Sequence, residues 1–320
     1  MKKNKIKDTG LEVTELSFGT SSLGSMPDTY GYEVPEDRAQ KTLNRFFQGP
    51  VNMLDTSRNY AMGESEKRIG KAIKENGGWP NGFLLSTKLD RNMDTLVLDK
   101  NRVRESLEES LKTLNVDSVD ILFLHDPEYA KDITDITKKD GAMDELFKIK
   151  NEGLAKAAGV AMGKVDIMFP LLKDWDFDVI INHNRYTLIN REANEMYDYA
   201  SSKNIAIFNA APYAGGVLAK GPDNFKKITY QDATEEKLAP AREFEKVCKK
   251  YNVELGAAAL QFSLRDNRIT STICGVTSVE SIEKNLAWAN TNIPEEFWDE
   301  ISKLPFSNND PESERVFTSG

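Results

Sequence analysis

The amino-acid sequence predicts a closed (β/α)8 barrel, the TIM-barrel fold of the α/β class, preceded by an N-terminal β-hairpin. Eight short apolar runs of the kind that form strands buried on both faces recur along the chain. Amphipathic segments separate them, and the Gly-rich G-x-G-x-x-G pattern of doubly wound dinucleotide-binding sheets does not follow the early runs. Because 320 residues suit one such barrel, we expect a single domain over 1–320, with 305–320 as a loose polar C-terminal loop.

The predicted strands follow a predicted hairpin. The segment KIKDTGLEV has a Thr-Gly turn between alternating residues, and we expect it to close the bottom of the barrel. The eight predicted barrel strands are 16–20, 51–55, 83–88, 120–125, 157–161, 178–182, 205–209 and 271–275.

The helices between the strands are indicated by their ends and their apolar stripes. The first begins at Pro35 and stops at the Gly-Pro pair 49–50. Asn101 and Asn190 are predicted to cap two later helices, since their side chains can accept from exposed backbone amides. Pro170 interrupts the segment after the fifth strand, where we expect a short or kinked helix.

Composition excludes several classes of function. A formal net charge of -9 with interspersed acids and bases leaves no basic stripe for nucleic acid. No run approaches the roughly 20 apolar residues of a membrane span, and the first residues lack the apolar block of a signal peptide. Cys248 and Cys274 show neither C-x-x-C nor zinc-ligand spacing, so we expect a reducing cytoplasm and no metal site.

Polar side chains end three neighbouring predicted strands. These are Asp55, Lys88 and His125, and Tyr60 lies five residues beyond Asp55. Each has an ordinary explanation taken alone: a turn former, a rim ion pair, a strand cap and a surface aromatic. Because barrel enzymes place their chemistry at the carboxyl ends of the strands, we expect all four to face one cavity.

The chemistry of a carbonyl that receives a hydride explains this set. Such a carbonyl needs a proton donor where negative charge develops on its oxygen. A lysine ammonium beside Tyr60 is expected to lower the pKa of the phenol from about 10. Asp55 can hold Lys88 in place, and His125 can donate to the substrate oxygen.

Four segments carry a resemblance to a known family. LSFGTSSLG, NMLDTSRNYAMGESEKRIGKAI, STK and VDILFLHDPE together resemble the aldo-keto reductases, and the similarity runs over essentially the whole chain. It implies a barrel enzyme that transfers a hydride between NAD or NADP and a small carbonyl or alcohol, such as an aldehyde, ketone or aldose. LHDPE and NRYTLINR are similar to the sugar and pyridoxal dehydrogenase branch (aldose dehydrogenase-like) of that family.

The resemblance also implies roles for single residues. Tyr60 would be the general acid or base, Lys88 and Asp55 its tuning partners, and His125 the residue that orients the substrate. The cofactor-binding set that it implies is Gly19, Thr20, Asp55, Asn182, His183, Gly275, Thr277, Ser278 and Asn285.

The chain departs from the family pattern around the cofactor. Ala161 and Met162 replace the usual Ser-Asn pair, so either Asn182 or His183 would have to reach the nicotinamide amide. The stretch 209–211 lacks the tyrosine that often stacks on the nicotinamide, and the following loop, 210–232, is long enough to act as a clamp.

The choice between NAD and NADP depends on residues near the adenosine half of the cofactor. Ser278 can cap a helix whose backbone amides would hold a phosphate, and Asn285 matches the adenine contact. Gly275 and Ser281 stand where many NADP-using relatives carry a cation for the 2′-phosphate, so NAD is preferred, with Lys284 as the one residue that could favour NADP.

Two other functions are compatible with parts of this pattern, and a third is disfavoured. Lys88 could form a Schiff base with a carbonyl substrate, as in an aldolase-type lyase. A non-catalytic dinucleotide-binding partner subunit is also possible for this family, and a metal-dependent enzyme is disfavoured by the presence of only two histidines. The physiological substrate, the reaction direction and the oligomeric state are not indicated by the sequence.

Overall fold

The structure is a computed structural model that describes residues 1–313. Its strands are β1 (Lys3–Ile6), β2 (Leu11–Thr14), β3 (Leu16–Gly19), β4 (Met53–Asp55), β5 (Leu84–Leu89), β6 (Val119–His125), β7 (Ala155–Met162), β8 (Val179–His183), β9 (Ala206–Ala210), β10 (Lys227–Ile228), β11 (Gln231–Asp232) and β12 (Ile269–Gly275). Its helices are α1 (Pro27–Tyr30), α2 (Glu36–Phe47), α3 (Glu64–Glu75), α4 (Lys100–Leu114), α5 (Thr134–Thr137), α6 (Ala142–Asn151), α7 (Val165–Asp174), α8 (Asn194–Ser202), α9 (Val217–Lys220), α10 (Glu235–Lys250), α11 (Leu255–Leu264), α12 (Val279–Ala289) and α13 (Glu295–Ile301). Short 3₁₀ turns lie at Tyr60–Gly63, Pro127–Tyr129 and Ala214–Gly216.

Parallel strands form a closed barrel in the order β12-β3-β4-β5-β6-β7-β8-β9. Each of the eight predicted runs overlaps one of these strands, so the predicted (β/α)8 barrel is confirmed. The barrel closes because β12, the last strand, pairs with β3, the first, through the register Thr272↔Leu16 to Gly275↔Gly19.

The predicted N-terminal hairpin is also confirmed. Strands β1 and β2 pair antiparallel, and Gly10 in the turn has φ +76, a left-handed conformation that glycine adopts without strain. Ile6, Leu11 and Val13 of the hairpin join the core inside the barrel. The hairpin therefore closes the bottom of the barrel, opposite the carboxyl ends of the strands.

Two of the predicted helix caps are wrong. Helix α4 begins after Asp99, whose carboxylate accepts from the amide of Arg102 at 2.9 Å, so Asn101 lies inside the helix. Helix α8 begins only at Asn194, and the Asn190 side chain instead accepts from the amide of Glu192 at 3.0 Å in the preceding turn. Both helices bury the predicted apolar stripe, and only their starting points differ.

The remaining helix predictions hold. Helix α2 follows Pro35 as predicted, and Ser278 caps α12. Pro170 lies inside α7, a helix of 10 residues. Within residues 1–313, every helix is too short or too polar to cross a lipid bilayer.

The predicted looseness of the C-terminal loop is wrong for the residues that the structure describes. The backbone carbonyl of Asn309 accepts from Asn190 Nδ2 at 2.9 Å, and that of Pro311 accepts from Thr229 Oγ1 at 3.1 Å. These contacts tie the segment to the loops after β8 and β9. Residues 314–320 lie outside the described residues.

Candidate active site

Each barrel strand places one residue near its carboxyl end on the inner face, because alternate residues of a strand point to opposite sides. In barrel order these inward residues are Gly275, Gly19, Asp55, Lys88, His125, Ala161, His183 and Ala210. Strands β4, β5 and β6 contribute three neighbouring polar residues. Strands β9, β12 and β3 contribute three neighbouring residues with little or no side chain.

Three of the four predicted catalytic residues meet at one ammonium group. Lys88 is buried, and its Nζ donates to Asp55 Oδ2 at 2.8 Å, to the carbonyl of Thr56 at 2.6 Å and to the Tyr60 hydroxyl at 3.0 Å. Ser86, two residues earlier on β5, donates to the other oxygen of Asp55 at 2.7 Å. The ammonium and the carboxylate are therefore fixed before any ligand binds.

Tyr60 reaches this cluster from the loop after β4. It begins a short 3₁₀ turn in which Ala61 and Met62 have left-handed φ values of 51 and 54. The Lys88 Nζ atom also lies 4.5 Å from the centre of the Tyr60 ring. The turn thus directs the phenol back over the strand ends instead of towards solvent.

The predicted lowering of the Tyr60 pKa is wrong for the protein without ligands. Burial, and next the negative charge of Asp55, raise the pKa of Tyr60 well above its usual value of 10. The physical reason is burial, which disfavours the charged phenolate, and the Lys88 ammonium beside the phenol is itself paired with Asp55. Tyr60 is consequently a neutral phenol at physiological pH, and its hydroxyl can donate to a substrate oxygen.

The fourth predicted residue, His125, has a partner that the sequence reasoning missed. Its Nδ1 lies 2.5 Å from Asp90 Oδ1 and 3.1 Å from Ser57 Oγ, while Ser57 Oγ donates to Asp90 Oδ2 at 2.6 Å. The signal for Asp90 was its position two residues after Lys88, which places both on the same face of the extended chain. The rings of His125 and Tyr60 meet edge to face with their centres 5.8 Å apart.

The charge on His125 depends on two carboxylates. Burial is the largest single influence and lowers the pKa of His125, but Asp126 and Asp90 outweigh it, so that the pKa is raised above 6.5. The pKa of Asp90 is lowered: burial would raise it, and the charge and hydrogen bond of His125 outweigh that effect. The two groups therefore stabilise each other's charged form.

The glycines on β12 and β3 differ in the space around them. A Cβ added at Gly19 would lie 3.1 Å from Ile273 Cγ2, and one added at Gly275 would come only within 4.0 Å of Ser22 Oγ. Gly275 is exposed, and the space beside it lies next to the strand ends that carry Asp55, Lys88 and His125. Thr20, which follows β3, is tied to the end of β4, since its Oγ1 donates to the carbonyl of Asp55 at 2.9 Å.

Asn182 and His183 are separated by the alternation of β8. The amide of Asn182 is buried and donates to the carbonyls of Met162 and Gly163 at 3.1 and 2.9 Å, on the helix side of the strand. His183 lies on the inner face, where burial lowers its pKa. Of the two candidates for the nicotinamide amide, His183 is therefore the one at the mouth of the barrel.

The candidate phosphate site lies at the start of α12. Ser278 and Ser281 form a capping box, and the amides of Thr277 and Ser278 both donate to Ser281 Oγ at 3.0 Å. Asn285 accepts from the Tyr213 hydroxyl and donates to the carbonyl of Ser281 at 2.7 Å. The predicted residues Thr277, Ser278 and Asn285 thus lie together here, and each makes hydrogen bonds to other groups of the protein.

Two loops meet above the mouth. Tyr30, in the loop after β3, packs edge to face on Tyr230, in the loop after β9, with ring centres 5.7 Å apart. Tyr32 lies beside Lys220 of the second loop, whose Nζ is 5.5 Å from the ring centre. The long loop predicted as a clamp thus contacts the loop after β3, across the mouth above β12, the strand between β9 and β3.

Comparison with known proteins agrees with this geometry. The model of the aldo/keto reductase family matches residues 15–305. L-galactose dehydrogenase of Arabidopsis thaliana is 31% identical over 88% of this chain and 85% of its own length. Pyridoxal 4-dehydrogenase of Microbacterium luteolum is 26% identical over 92% of this chain and 95% of its own length. An aldo-keto reductase from Bacillus halodurans, solved in its holo form, has the same fold, with a TM-score of 0.78 at 22% identity, covering 99% of this chain and 100% of its own.

Proposed function

The chain belongs to the aldo/keto reductase family and is an NAD(P)-dependent oxidoreductase of carbonyl and alcohol substrates; from this premise we propose which of its residues carry the reaction. Asp55, Tyr60, Lys88 and His125 form the catalytic group. The nicotinamide cofactor supplies or accepts the hydride at the substrate carbon, and these four residues manage the charge and the proton on the substrate oxygen.

The single observation that carries this assignment is the set of contacts around Lys88. Its ammonium joins Asp55 and Tyr60 in one buried cluster, with His125 on the neighbouring strand. A substrate oxygen placed against Tyr60 would meet a neutral phenol and an imidazole, which are the donors that a developing alkoxide needs. Lys88 and Asp55 hold the phenol in position.

We propose an aldose or a related polar carbonyl compound as substrate. Relatives named for L-galactose, pyridoxal and D-threo-aldoses support this class. Around the mouth, His183 lies 3.9 Å from the carboxylate of Glu312, and Asp126 lies 3.7 Å from His125. Carboxylates and imidazoles of this kind suit the hydroxyl groups of a sugar, which both donate and accept hydrogen bonds.

We propose NAD as the preferred cofactor, with Gly19, Thr20, Gly275 and His183 near the nicotinamide and α12 near the adenylate half. Ser281 uses its hydroxyl in the capping box, and Lys284 lies 3.8 Å from Glu254. The first turn of α12 carries the acidic Glu280, which would repel a 2′-phosphate. A relative named NADH-specific methylglyoxal reductase, from Escherichia coli, is 23% identical.

The alternative of a Schiff-base lyase is disfavoured by the state of Lys88. A Schiff base requires a neutral, accessible amine. Lys88 is instead 1% exposed, is ion-paired with Asp55 and donates to three oxygen atoms.

The metal-dependent alternative has no candidate site within residues 1–313. No three His, Cys, Asp or Glu side chains lie close enough together there to hold a metal ion.

The proposal is tested by following reduced nicotinamide absorbance with NAD and NADP against L-galactose, pyridoxal and methylglyoxal. We expect turnover with at least one of them and a lower Kd for NAD. Tyr60→Phe should lower kcat ~100-fold or more, since it removes a donor at the developing charge. Tyr199→Phe, on the outer helix α8, is the matched control and should leave kcat unchanged. Borohydride trapping of substrate on Lys88, or no turnover with any compound, would contradict the proposal.

A further inference from the structure

The turn that begins at Tyr60 has a backbone conformation that most of its residues disfavour. Ala61, Met62 and Gly63 have φ values of 51, 54 and 92, so three consecutive residues are left-handed. Glycine adopts this conformation without strain, whereas a residue with a Cβ does not. A strained turn persists only where the surrounding structure fixes it. The residues that fix this turn therefore also decide where the Tyr60 hydroxyl lies.

Two sets of contacts hold the beginning and the middle of the turn. The amide of Asn59 donates to Asp90 Oδ2 at 3.0 Å and to Ser57 Oγ at 3.1 Å. Ala61 packs on Gly24, where an added Cβ would lie only 2.5 Å from Ala61 Cβ. Met62, next in the chain, is 67% exposed. The end of the turn therefore depends on what lies against Gly63.

Arg58 packs directly against Gly63. A Cβ added at Gly63 would overlap Nη1 of Arg58 and would lie 3.1 Å from its Cζ. The Nε atom of the same guanidinium donates to Glu109 Oε2 at 3.2 Å. Glu109 is a residue of helix α4. The Arg58 guanidinium thus connects the end of the turn to this helix.

Glu109 is itself held in place by Arg102, which lies on the same face of α4 seven residues earlier. Nη1 and Nη2 of Arg102 donate to the two carboxylate oxygens of Glu109 at 3.1 and 2.8 Å. Such a two-point contact fixes direction as well as distance. The hydrogen bond of Arg102 is also the main cause that lowers the pKa of Glu109. Arg102 Nε donates to the carbonyl of Asp90 at 3.0 Å, which anchors the pair to the end of β5.

We infer that Arg58 and Glu109 are positioning residues, which hold the left-handed turn and so keep the Tyr60 hydroxyl against Lys88. They act through Tyr60 and not by contact with the substrate oxygen. This inference rests on the proposed function, which makes Tyr60 a catalytic residue.

Tyr60 needs such support more than the other members of the catalytic group. Asp55, Lys88 and His125 are strand residues, and the barrel itself fixes them. Tyr60 comes from a loop and takes its position from the turn. A displacement of about 1 Å at a reacting group can lower a rate ~100-fold. A partly exposed ion pair contributes little to stability, so losing this one should affect the rate more than the fold.

Hydrogen exchange tests the support of the turn without any substrate. The peptide 57–66 contains the amide of Asn59, bonded to Asp90, and that of Met62, bonded to the carbonyl of Asn59 at 3.2 Å. We expect Arg58→Met and Glu109→Gln each to speed exchange in this peptide by about 5-fold or more, as measured by mass spectrometry. Exchange in the barrel strands should stay as it is.

Arg104→Met is the matched control. Arg104 is on the same helix, and it donates to Glu145 and Glu152 at 2.8 and 2.6 Å, on and after α6. Its side chain is 26% exposed, close to the 30% of Arg58. Arg104→Met should therefore remove a comparable ion pair and leave both the exchange of 57–66 and kcat unchanged.

The kinetics use whichever test substrate the unmodified protein turns over. Arg58→Met and Glu109→Gln should each lower kcat and kcat/KM together, by ~10-fold, with an unchanged Kd for NAD. Arg58→Lys should recover part of kcat, because its ammonium can still pair with Glu109. The double variant should be no slower than the slower single variant, since both residues act through one contact.

The outcomes separate this inference from the proposed function. Unchanged exchange in both single variants would overturn the support of the turn by Arg58 and Glu109. Faster exchange with unchanged kcat, or losses that add fully in the double variant, would overturn their joint role in positioning Tyr60. Absence of turnover in the unmodified protein would refute the proposed function and the catalytic role with it, whereas the exchange measurements would still decide whether the two residues hold the turn.

Discussion

Glu66, in helix α3, is a buried acid that contacts β5, the strand that carries Lys88. It has no exposed surface, and its Oε1 accepts from Thr87, the neighbour of Lys88, at 2.6 Å. Burial raises its pKa from 4.5 to about 7, against the weaker opposing hydrogen bond of Thr87. Glu66 is therefore neutral in the folded protein below about pH 7, and the unfolded chain ionises it at lower pH than the folded protein does.

We predict that Glu66→Gln removes a pH dependence of stability. A group whose folded pKa is raised contributes stability that is fully present below its unfolded pKa of 4.5 and is lost as pH rises through about 7. The shift corresponds to about 3 kcal/mol, at 1.36 kcal/mol per pKa unit. The variant and the unmodified protein should therefore unfold alike near pH 4.5, and the variant should be the more stable above pH 8.

Urea unfolding at several pH values measures this difference. Glu75→Gln, at the exposed end of the same helix, is the matched control, and its effect should be small at every pH. A difference between Glu66→Gln and the unmodified protein that stays constant from acid to alkaline pH would show that folding does not raise the pKa of Glu66.

Tyr60 shows why protonation states were the weakest part of the sequence reasoning. The sequence identified the lysine that lies beside the phenol, and the 3.0 Å contact bears that proximity out. It could not give the depth of burial or the division of the Lys88 charge with Asp55, and these two effects decide the sign of the pKa shift. Asp90 was missed for a related reason: its partner His125 is 35 residues away in the chain.

Among the elements, the C-terminal segment and the loop after β8 are joined by ion pairs to one buried guanidinium. Arg185, after β8, has no exposed surface and pairs with Glu312, which is 4% exposed. A second nitrogen of the same guanidinium donates to Asp310 at 2.6 Å. The polar composition of 305–320 indicated a loose loop because a single buried acidic residue in such a segment has no pattern that reveals its partner, here 127 residues earlier.

We predict that Glu312→Gln destabilises the protein by ~1.5–3 kcal/mol, because it removes a charged hydrogen-bond partner of a buried guanidinium that keeps its pair with Asp310. Glu295→Gln is the control: it breaks the pair with Arg265 at the surface, where both partners are well exposed, and should cost under ~1 kcal/mol. Urea unfolding of both variants provides the comparison. Equal, small losses in the two would mean that the tail does not dock on Arg185 in solution.

The strands were predictable where the helix starts were not. A strand buried on both faces must be continuously apolar, and that requirement is visible in all eight runs. A helix start depends on which of several nearby polar residues takes the cap, and Asp99 and Asn101 satisfy the same preference. The apolar stripe of α4 fits either start, so only the packed structure distinguishes them.

In the whole molecule, the residues that stabilise the barrel and the residues proposed for catalysis lie at opposite ends of the barrel axis. The hairpin seals one end, where Ile6, Leu11 and Val13 pack on the inner core with strand residues such as Phe123. The polar inward residues lie at the other end. In barrels of this kind the carboxyl ends of the strands carry the active site, and the opposite face contributes to stability.

We predict that Ile6→Ala lowers the free energy of unfolding by ~2–5 kcal/mol, since Ile6 is completely buried and its loss leaves a cavity in the inner core. The dissociation constant for NAD and the titration of His125 should not change, because the catalytic cluster lies at the opposite end of the strands. Lys5→Ala, one residue earlier and exposed, is the control and should alter neither property by a measurable amount. If Ile6→Ala weakened cofactor binding while the protein remained as stable as before, the hairpin would be coupled to the active site, and the division of the barrel into a stabilising end and a chemical end would be wrong.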